Sequence, residues 1–227
     1  MTPFELTDWP CPAPDGERHE EMALVFDRRR ERRLLVLPAW FDEANKLRRQ
    51  TVEVMRRLDL SGIDSFLPDL PGCNESEATL ELQTLTSWRA AAAAAAGHFR
   101  ATRVLTVRAG ALIAPDLPGW AYAPIEGGRI LRSMLRARTI AAREAGHTER
   151  SEDLQARARS DGIELGGWRI GAAMFAELER AGPADHLAPI TPETIGGPSL
   201  WLRAEPDDDP AQADALAAVL AIAMSEP

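Results

Sequence analysis

The sequence contains few cysteines and no long apolar stretch. These two features argue against a disulfide-rich protein and against a membrane-spanning one. Its 227 residues include two cysteines, Cys11 and Cys73, which make neither a disulfide framework nor a zinc-site pattern. No uncharged apolar run of about 18 residues occurs, so we expect no membrane span. The first residues, MTPFELTDWPCP, lack the basic and apolar regions of a signal peptide. We therefore expect a cytoplasmic protein with reduced thiols.

Net positive charge is also missing, which bears on the partners. The formal net charge is −9, whereas a nucleic acid or an anionic membrane calls for a basic face. The glycine pairs in GGWRI and GGPSLWL fit neither a phosphate loop nor a dinucleotide fingerprint, and no metal-ligand cluster is visible. We expect no nucleic acid partner, no cofactor and no metal. The oligomeric state does not follow from the sequence.

The order of apolar segments predicts the fold class. Strands come first and then alternate with helices, which is typical of a mostly parallel sheet covered by helices. The predicted strands are TPFELTDW, EMALVF, RLLVLP, IDSFLP, RVLTV, GWAYAPI and SLWLRAE. The predicted helices are FDEANKLRRQTVEVMRRLDL, LELQTLTSWRAAAAAAAGH, RILRSMLRARTIAAREAGH, GAAMFAELERAG and PAQADALAAVLAIAM. Asp42 is the expected N-cap of the first helix, and Gly62 its expected stop.

Two further features concern domain organisation and charge. Residues 1–227 read as a single domain, and residues 127–195 as a cap-like helical insertion before the last strand. The turn DRRRERR and the basic helix that starts at Arg129 are each typical of a solvated surface. The alternative is a binding patch for the turn, and docking on an acidic partner or an anionic surface for the helix.

Four segments carry a resemblance to a known family. LLVLPAWFDEANKLRRQ, SFLPDLPGCNES, VLTVRAGALIA and SLWLRAEPDDDP occur in the order and at the approximate spacing of an α/β-hydrolase core. They resemble most the exosortase A system-associated hydrolases, a bacterial branch often encoded beside exopolysaccharide genes. That branch has Pro-Pro-Phe-x-Glu-Glu-x-Asn-Lys-x-Arg-Arg where this chain has PAWFDEANKLRR. Its Asp-Leu-Pro-Gly-Cys-Gly-x-Ser is here DLPGCNES, with Asn74 in place of a glycine.

The resemblance implies a serine nucleophile in a Gly-x-Ser-x-Gly turn. Laid over TVRAG, that motif puts Thr106 on the first glycine, Arg108 on the serine and Gly110 on the last glycine. A guanidinium stays protonated and has no lone pair with which to attack a carbonyl.

The other two members of a catalytic triad are also hard to place. No histidine follows the last predicted strand; the four are His19, His98, His147 and His186. Asp208 is a candidate for the acid, although aspartates before Pro210 are also typical of a helix N-cap.

Three roles remain open for this region. Cys73 is a candidate nucleophile if Arg108 or Lys46 makes its surroundings electropositive. Arg108 is alternatively an anion-binding residue, since the turn directs backbone N–H groups toward the same place. In the third possible role, Arg108 forms an ion pair with Glu43 or Asp69, and this pair closes a vestigial pocket. The candidate ligand-binding residues are Arg108, Glu43, Asn45, Lys46, Arg48, Asp69 and Gly110.

Two functions follow from these roles. The first is non-catalytic binding of an anionic small molecule, a saccharide or a partner protein, in a pathway linked to exosortase and exopolysaccharide. The alternative is a hydrolase or acyl transferase that acts on an ester or thioester through a non-standard nucleophile such as Cys73.

Overall fold

A seven-stranded sheet forms the centre of the molecule, whose computed structural model describes residues 4–13 and 18–225. The strand order is β1-β2-β4-β3-β5-β6-β9. β1 and β2 pair antiparallel, as do β2 and β4, and β4, β3, β5, β6 and β9 run parallel. The sheet strands are β1 Glu5–Pro12, β2 Arg18–Phe26, β3 Arg33–Leu37, β4 Asp64–Pro68, β5 Arg103–Val107, β6 Gly119–Tyr122 and β9 Ala188–Ile190.

Helices cover both faces of this sheet, and the predicted fold class is confirmed. A short hairpin, β7 Ile163–Leu165 and β8 Trp168–Ile170, lies among the helices that precede β9. The helices are α1 Asp42–Leu60, α2 Leu85–His98, α3 Gly127–Glu144, α4 Ser151–Asp161, α5 Ala172–Leu178, α6 Pro192–Ile195 and α7 Pro210–Ala223.

The alternation of side chains along the strands divides the core into two layers. Leu34 and Val36 of β3 pack with α1 and α7, whereas Leu35 and Leu37 face α2 and the helices α3 to α5. β3 is buried on both faces, which explains why it reads as an unbroken apolar run. The alanines of α2 allow close packing on the sheet: Ala91, Ala92 and Ala95 are buried.

Several sequence predictions are wrong in detail. SLWLRAE contains a 3₁₀ helix at Leu200–Leu202 and no strand, and the last strand of the sheet is Ala188–Ile190. β9 falls inside the predicted insertion, 127–195, so the part inserted between β6 and β9 ends before Ala188. The sequence pattern also did not predict α4.

Some boundaries differ as well. Asp42 is the first residue of α1, and Phe41 occupies the N-cap position without a side-chain hydrogen bond. α2 begins at Leu85 behind a capping box formed by Thr84 and Ser87, because this pair satisfies the first N–H groups of the helix. Residues 2–3 of the first predicted strand lie outside the described residues.

Candidate functional site

The strands β4, β3, β5, β6 and β9 end at a common edge, here called the carboxyl edge, and Arg108 lies there. It directly follows β5 and begins a 3₁₀ turn, Arg108–Leu112, with φ 54°. This left-handed conformation is uncommon for a residue with a side chain. The backbone bends sharply at the position where the family resemblance expects a nucleophile.

Gly110 allows this turn to lie against the end of β3. A Cβ at residue 110 would be 2.5 Å from the carbonyl oxygen of Leu37 and 2.9 Å from that of Pro38. Real Cβ atoms do not approach backbone oxygens this closely, so a side chain here would displace the turn. The role of Gly110 in the structure is therefore close backbone packing.

Arg108 takes its counter-charge from the protein. Its Nε and Nη2 donate to Glu43 Oε2 and Oε1, both at 2.9 Å, and Nη1 donates to the Ala123 carbonyl oxygen at 2.8 Å. The guanidinium lies 4.3 Å from the centre of the Trp201 ring. The side chain of Arg108 is 10% exposed and that of Glu43 is 26% exposed. Of the alternatives left open by the sequence, the structure shows the ion pair with Glu43.

Asp69, the other proposed partner of Arg108, has different neighbours. Its Oδ1 accepts from Arg48 Nη1 at 3.2 Å and from Asn74 Nδ2 at 2.6 Å. Its Oδ2 is buried and has no hydrogen-bond partner among the described residues. Asp69 and Arg48 thus form a second pair beside that of Arg108 and Glu43.

The remaining polar residues of α1 do not join Arg108. Lys46 Nζ lies 2.6 Å from Asp42 Oδ2, one turn earlier on the same helix. Asn45 faces solvent. The helical phase of α1 therefore turns Glu43 toward Arg108 and leaves the other cations with counter-ions of their own.

Cys73 lies in surroundings that disfavour a thiolate. Burial, and then the negative charges of Asp69 and Glu21, raise the pKa of its thiol to about 12. The sequence left open whether Arg108 or Lys46 makes these surroundings electropositive; in the structure the charges that act on the thiol are the carboxylates of Asp69 and Glu21, which raise its pKa. A thiol with such a pKa is protonated at neutral pH.

The space beside Cys73 is small. A cavity lined by Cys73, Trp40, Phe41, Asn74 and Trp168 has a volume of about 20 Å³, which is room for roughly one water molecule. The Phe41 and Trp168 ring centres are 5.7 Å apart, so the hairpin β7–β8 covers this part of the carboxyl edge.

The thiol environments predict slow alkylation. Burial also raises the pKa of Cys11 to about 12. At about pH 8, we expect iodoacetamide to modify Cys73 in the folded Cys11→Ala variant at least about a hundredfold more slowly than in the urea-unfolded protein, because so little thiolate is present. Mass spectrometry over time measures the difference. Equal rates in the two states would restore Cys73 as a candidate nucleophile.

His186 and His98 lie at the edge of the sheet opposite Arg108. His186 Nε2 lies 3.2 Å from the Pro115 carbonyl oxygen, ahead of β6 and β9, and His98 ends α2 ahead of β5. Both positions are at the start of parallel strands, which is the edge opposite Arg108. His147 follows α3, and His19 pairs with Cys11 in the β1–β2 hairpin.

Asp208, the candidate acid, has a structural partner. Its Oδ1 lies 2.9 Å from Arg49 Nε. The neighbouring Asp209 caps α7, since its side chain accepts from the N–H groups of Ala211 and Gln212. The N-cap interpretation of the aspartate run is therefore confirmed for Asp209.

Two parts of the Arg108 environment were not predictable from the sequence. Ala123, which follows β6, offers a carbonyl oxygen and gives no sequence signal at all. Trp201 was assigned to a strand, although it stands in a 3₁₀ helix and its ring faces the guanidinium. A tryptophan near a buried arginine is a recognisable cation–π candidate, but only once both positions in the fold are known.

Residues 4–13 and 18–225 contain neither a metal-ligand cluster nor a helix suited to a membrane span. Within these ranges no three or more His, Cys, Asp and Glu side chains are grouped so as to hold a metal ion. In the same part of the chain, no helix combines the length and apolar character needed to cross a bilayer.

Comparisons with known proteins address the fold. No protein-family model matches the sequence, and no curated protein matches it either. The structure is similar to that of a protein from Agrobacterium vitis S4 described provisionally as a hydrolase, with a TM-score of 0.53 and 17% identity over 99% of this chain and 100% of that one. It is also similar to Est1E from Butyrivibrio proteoclasticus with ferulic acid bound, with a TM-score of 0.49 and 14% identity over 70% of this chain and 67% of that one.

At 17% identity, the likeness to the A. vitis protein extends to the fold alone. This chain itself has a mostly parallel sheet with the antiparallel strand β2 and a sharp turn after β5, and these features are consistent with that fold. The chain therefore has the α/β-hydrolase fold.

Proposed function

We propose that this chain is a non-catalytic protein of α/β-hydrolase fold that acts by binding. The observation that carries the proposal is the ion pair of Arg108 with Glu43 at the turn after β5. A guanidinium has no lone pair for attack on a carbonyl carbon. With its charge already balanced by Glu43, it also provides little net attraction for a developing oxyanion.

The space at the carboxyl edge supports the same proposal. The cavity beside Cys73 is about 20 Å³, whereas small-molecule sites usually have volumes of about 300–1,000 Å³. We propose that the segment between β6 and β9 acts as a fixed cap here, since Trp168 packs against Phe41. An ester or thioester would have to displace these aromatic side chains before reaching Cys73.

The ligand classes and the pathway come from the sequence. We propose that the protein binds an anionic small molecule, a saccharide or a partner protein in a bacterial pathway linked to exosortase and exopolysaccharide. PAWFDEANKLRR and DLPGCNES support the pathway through their resemblance to that branch. The free thiols of Cys11 and Cys73 fit a cytoplasmic place of action.

A turnover assay tests the proposal. Wild-type protein, Cys73→Ala and Arg108→Ala are incubated with nitrophenyl esters of increasing chain length and with acyl thioesters. We expect all three to match the rate of spontaneous hydrolysis, because no activated nucleophile faces the substrate. An esterase of known activity serves as the positive control.

One result would overturn the proposal in favour of the alternative. Turnover by the wild type that disappears in Cys73→Ala would show a hydrolase or acyl transferase with a cysteine nucleophile. Turnover that persists in Cys73→Ala and disappears in Arg108→Ala would also contradict a non-catalytic role, since it would make the guanidinium part of a working site.

A further inference from the structure

A second cleft opens at the opposite edge of the sheet, where the parallel strands begin. It has a volume of about 470 Å³, within the range of small-molecule sites. We call it the amino-edge cleft. Two carboxylates line it, those of Glu5 and Asp27. The cleft is also lined by four arginines and a histidine, namely Arg29, Arg30, Arg33, Arg100 and His98.

Two of these arginines stabilise the fold. Arg30 Nη1 and Arg33 Nη1 each lie 3.1 Å from an oxygen of Asp64, whose side chain is fully buried. Arg33 also binds Asp27 at 3.0 Å. The carboxylate of Asp64 would be costly without these partners. Arg30 and Arg33 therefore explain part of the DRRRERR turn without any ligand.

The other two arginines have no such partner. Arg29 and Arg100 are exposed, and neither side chain forms an ion pair or hydrogen bond within residues 4–13 and 18–225. They come from different turns, one after β2 and one after α2. Both line the same cleft, with His98 beside Arg100.

The backbone at both positions is one that favours glycine. Arg29 has φ 61° and Arg100 has φ 49°, in the left-handed region that residues with a Cβ seldom adopt. Glycine at either position would remove this strain. Arg100 follows the end of α2, where glycine or asparagine is the usual residue. The chain thus places two unpaired cations at turns whose backbone favours glycine.

The charge distribution points to the kind of ligand. The whole chain carries −9, yet in this cleft Arg30 and Arg33 are balanced by Asp64 and Asp27, which leaves Arg29 and Arg100 against the single carboxylate of Glu5, so an anion is attracted locally. A long polyanion would meet the repulsion of the remaining surface. A small molecule with two adjacent anionic groups matches two separate guanidinium groups, each of which can grip a phosphate through paired hydrogen bonds.

We propose that the amino-edge cleft binds a small diphosphate-type anion between Arg29 and Arg100. Pyrophosphate is the simplest probe of this chemistry. The inference goes beyond the proposed function and does not depend on it, because the two edges of the sheet are separate. Turnover at the carboxyl edge would overturn the proposed function and leave this site untouched.

Calorimetric titration with pyrophosphate tests the proposal. We expect the Arg29→Gln/Arg100→Gln variant to bind at least about tenfold more weakly than wild type, since both charge-assisted contacts are lost. The matched control is Arg132→Gln/Arg136→Gln, which removes two exposed arginines of α3 and should change the affinity less than about twofold, as expected of solvated charges. Equal losses in the two double variants would show non-specific attraction and overturn the site.

A second variant separates binding from folding. In Arg29→Gly/Arg100→Gly we expect no pyrophosphate binding and a melting temperature equal to or above that of wild type, because the left-handed strain is relieved. A lower melting temperature would show that the two arginines stabilise the fold, and would contradict the proposal. Tighter binding of a single-stranded oligonucleotide than of pyrophosphate would also overturn it, in favour of a nucleic acid surface.

Discussion

Glu43→Ala is expected to lower the free energy of unfolding by about 2–3 kcal/mol, because it leaves Arg108 almost buried without its counter-charge. The loss should be smaller than for a fully buried pair, since the Glu43 side chain is 26% exposed. Urea unfolding followed by circular dichroism measures the change. If the slope of the free energy of unfolding against urea concentration is the same as in wild type, the native and unfolded states keep their compactness.

Asp42→Ala is the matched control for this prediction. Asp42 precedes Glu43 on α1 and pairs with Lys46, but its side chain is 73% exposed. Such a surface pair contributes up to about 1 kcal/mol. If Glu43→Ala lowers the free energy of unfolding no more than Asp42→Ala does, the pair of Glu43 with Arg108 does not close the carboxyl edge. The main support for the proposed function is then lost.

The same variant tests what Arg108 does once it is released. In Glu43→Ala, acetate or formate can take the place of the missing carboxylate on the guanidinium. We therefore expect these anions to raise the melting temperature of Glu43→Ala more than that of wild type, by mass action. An equal rise in both proteins would show that Arg108 offers no anion site even when its partner is removed.

The fold was predictable where strands are long and buried on both faces. RLLVL is apolar after Arg33, and RVLTV is apolar apart from Arg103 and Thr106, because helices cover both sides of the parallel sheet. β9 has three residues, of which Ala188 and Pro189 are exposed, so it gives no pattern. SLWLRAE is apolar because Leu200 and Trp201 pack into the core as a 3₁₀ helix. Apolar character alone does not distinguish these conformations.

The sequence predicted which residues lie near Arg108, but it did not predict which of them form ion pairs. The sequence placed Glu43 and Asp69 at one edge as alternative partners of Arg108. Which of them reaches the guanidinium depends on the phase of α1, and Arg48, a little more than one turn after Glu43, takes Asp69 instead. A difference of this kind is fixed by helix packing, which local sequence does not determine. Whether cations or carboxylates lie near Cys73 was left open by the sequence for the same reason.

Gly110→Ala is expected to destabilise the protein by about 3 kcal/mol, through overpacking of backbone against backbone. The added Cβ would lie 2.5 Å from the Leu37 carbonyl oxygen, and neither atom belongs to a side chain that can rotate away. The turn must therefore move off the end of β3, and Arg108 must move with it. Thermal and urea unfolding measure the loss.

Gly97→Ala is a control with the opposite sign. Gly97 is the next-to-last residue of α2, and a Cβ there would meet nothing within 4 Å. Alanine should therefore stabilise the helix by about 0.5–1 kcal/mol. If Gly110→Ala is instead as stable as wild type, the turn after β5 does not pack against β3 as described. Residue 108 would then not lie at the bend, and the interpretation of the whole carboxyl edge would be wrong.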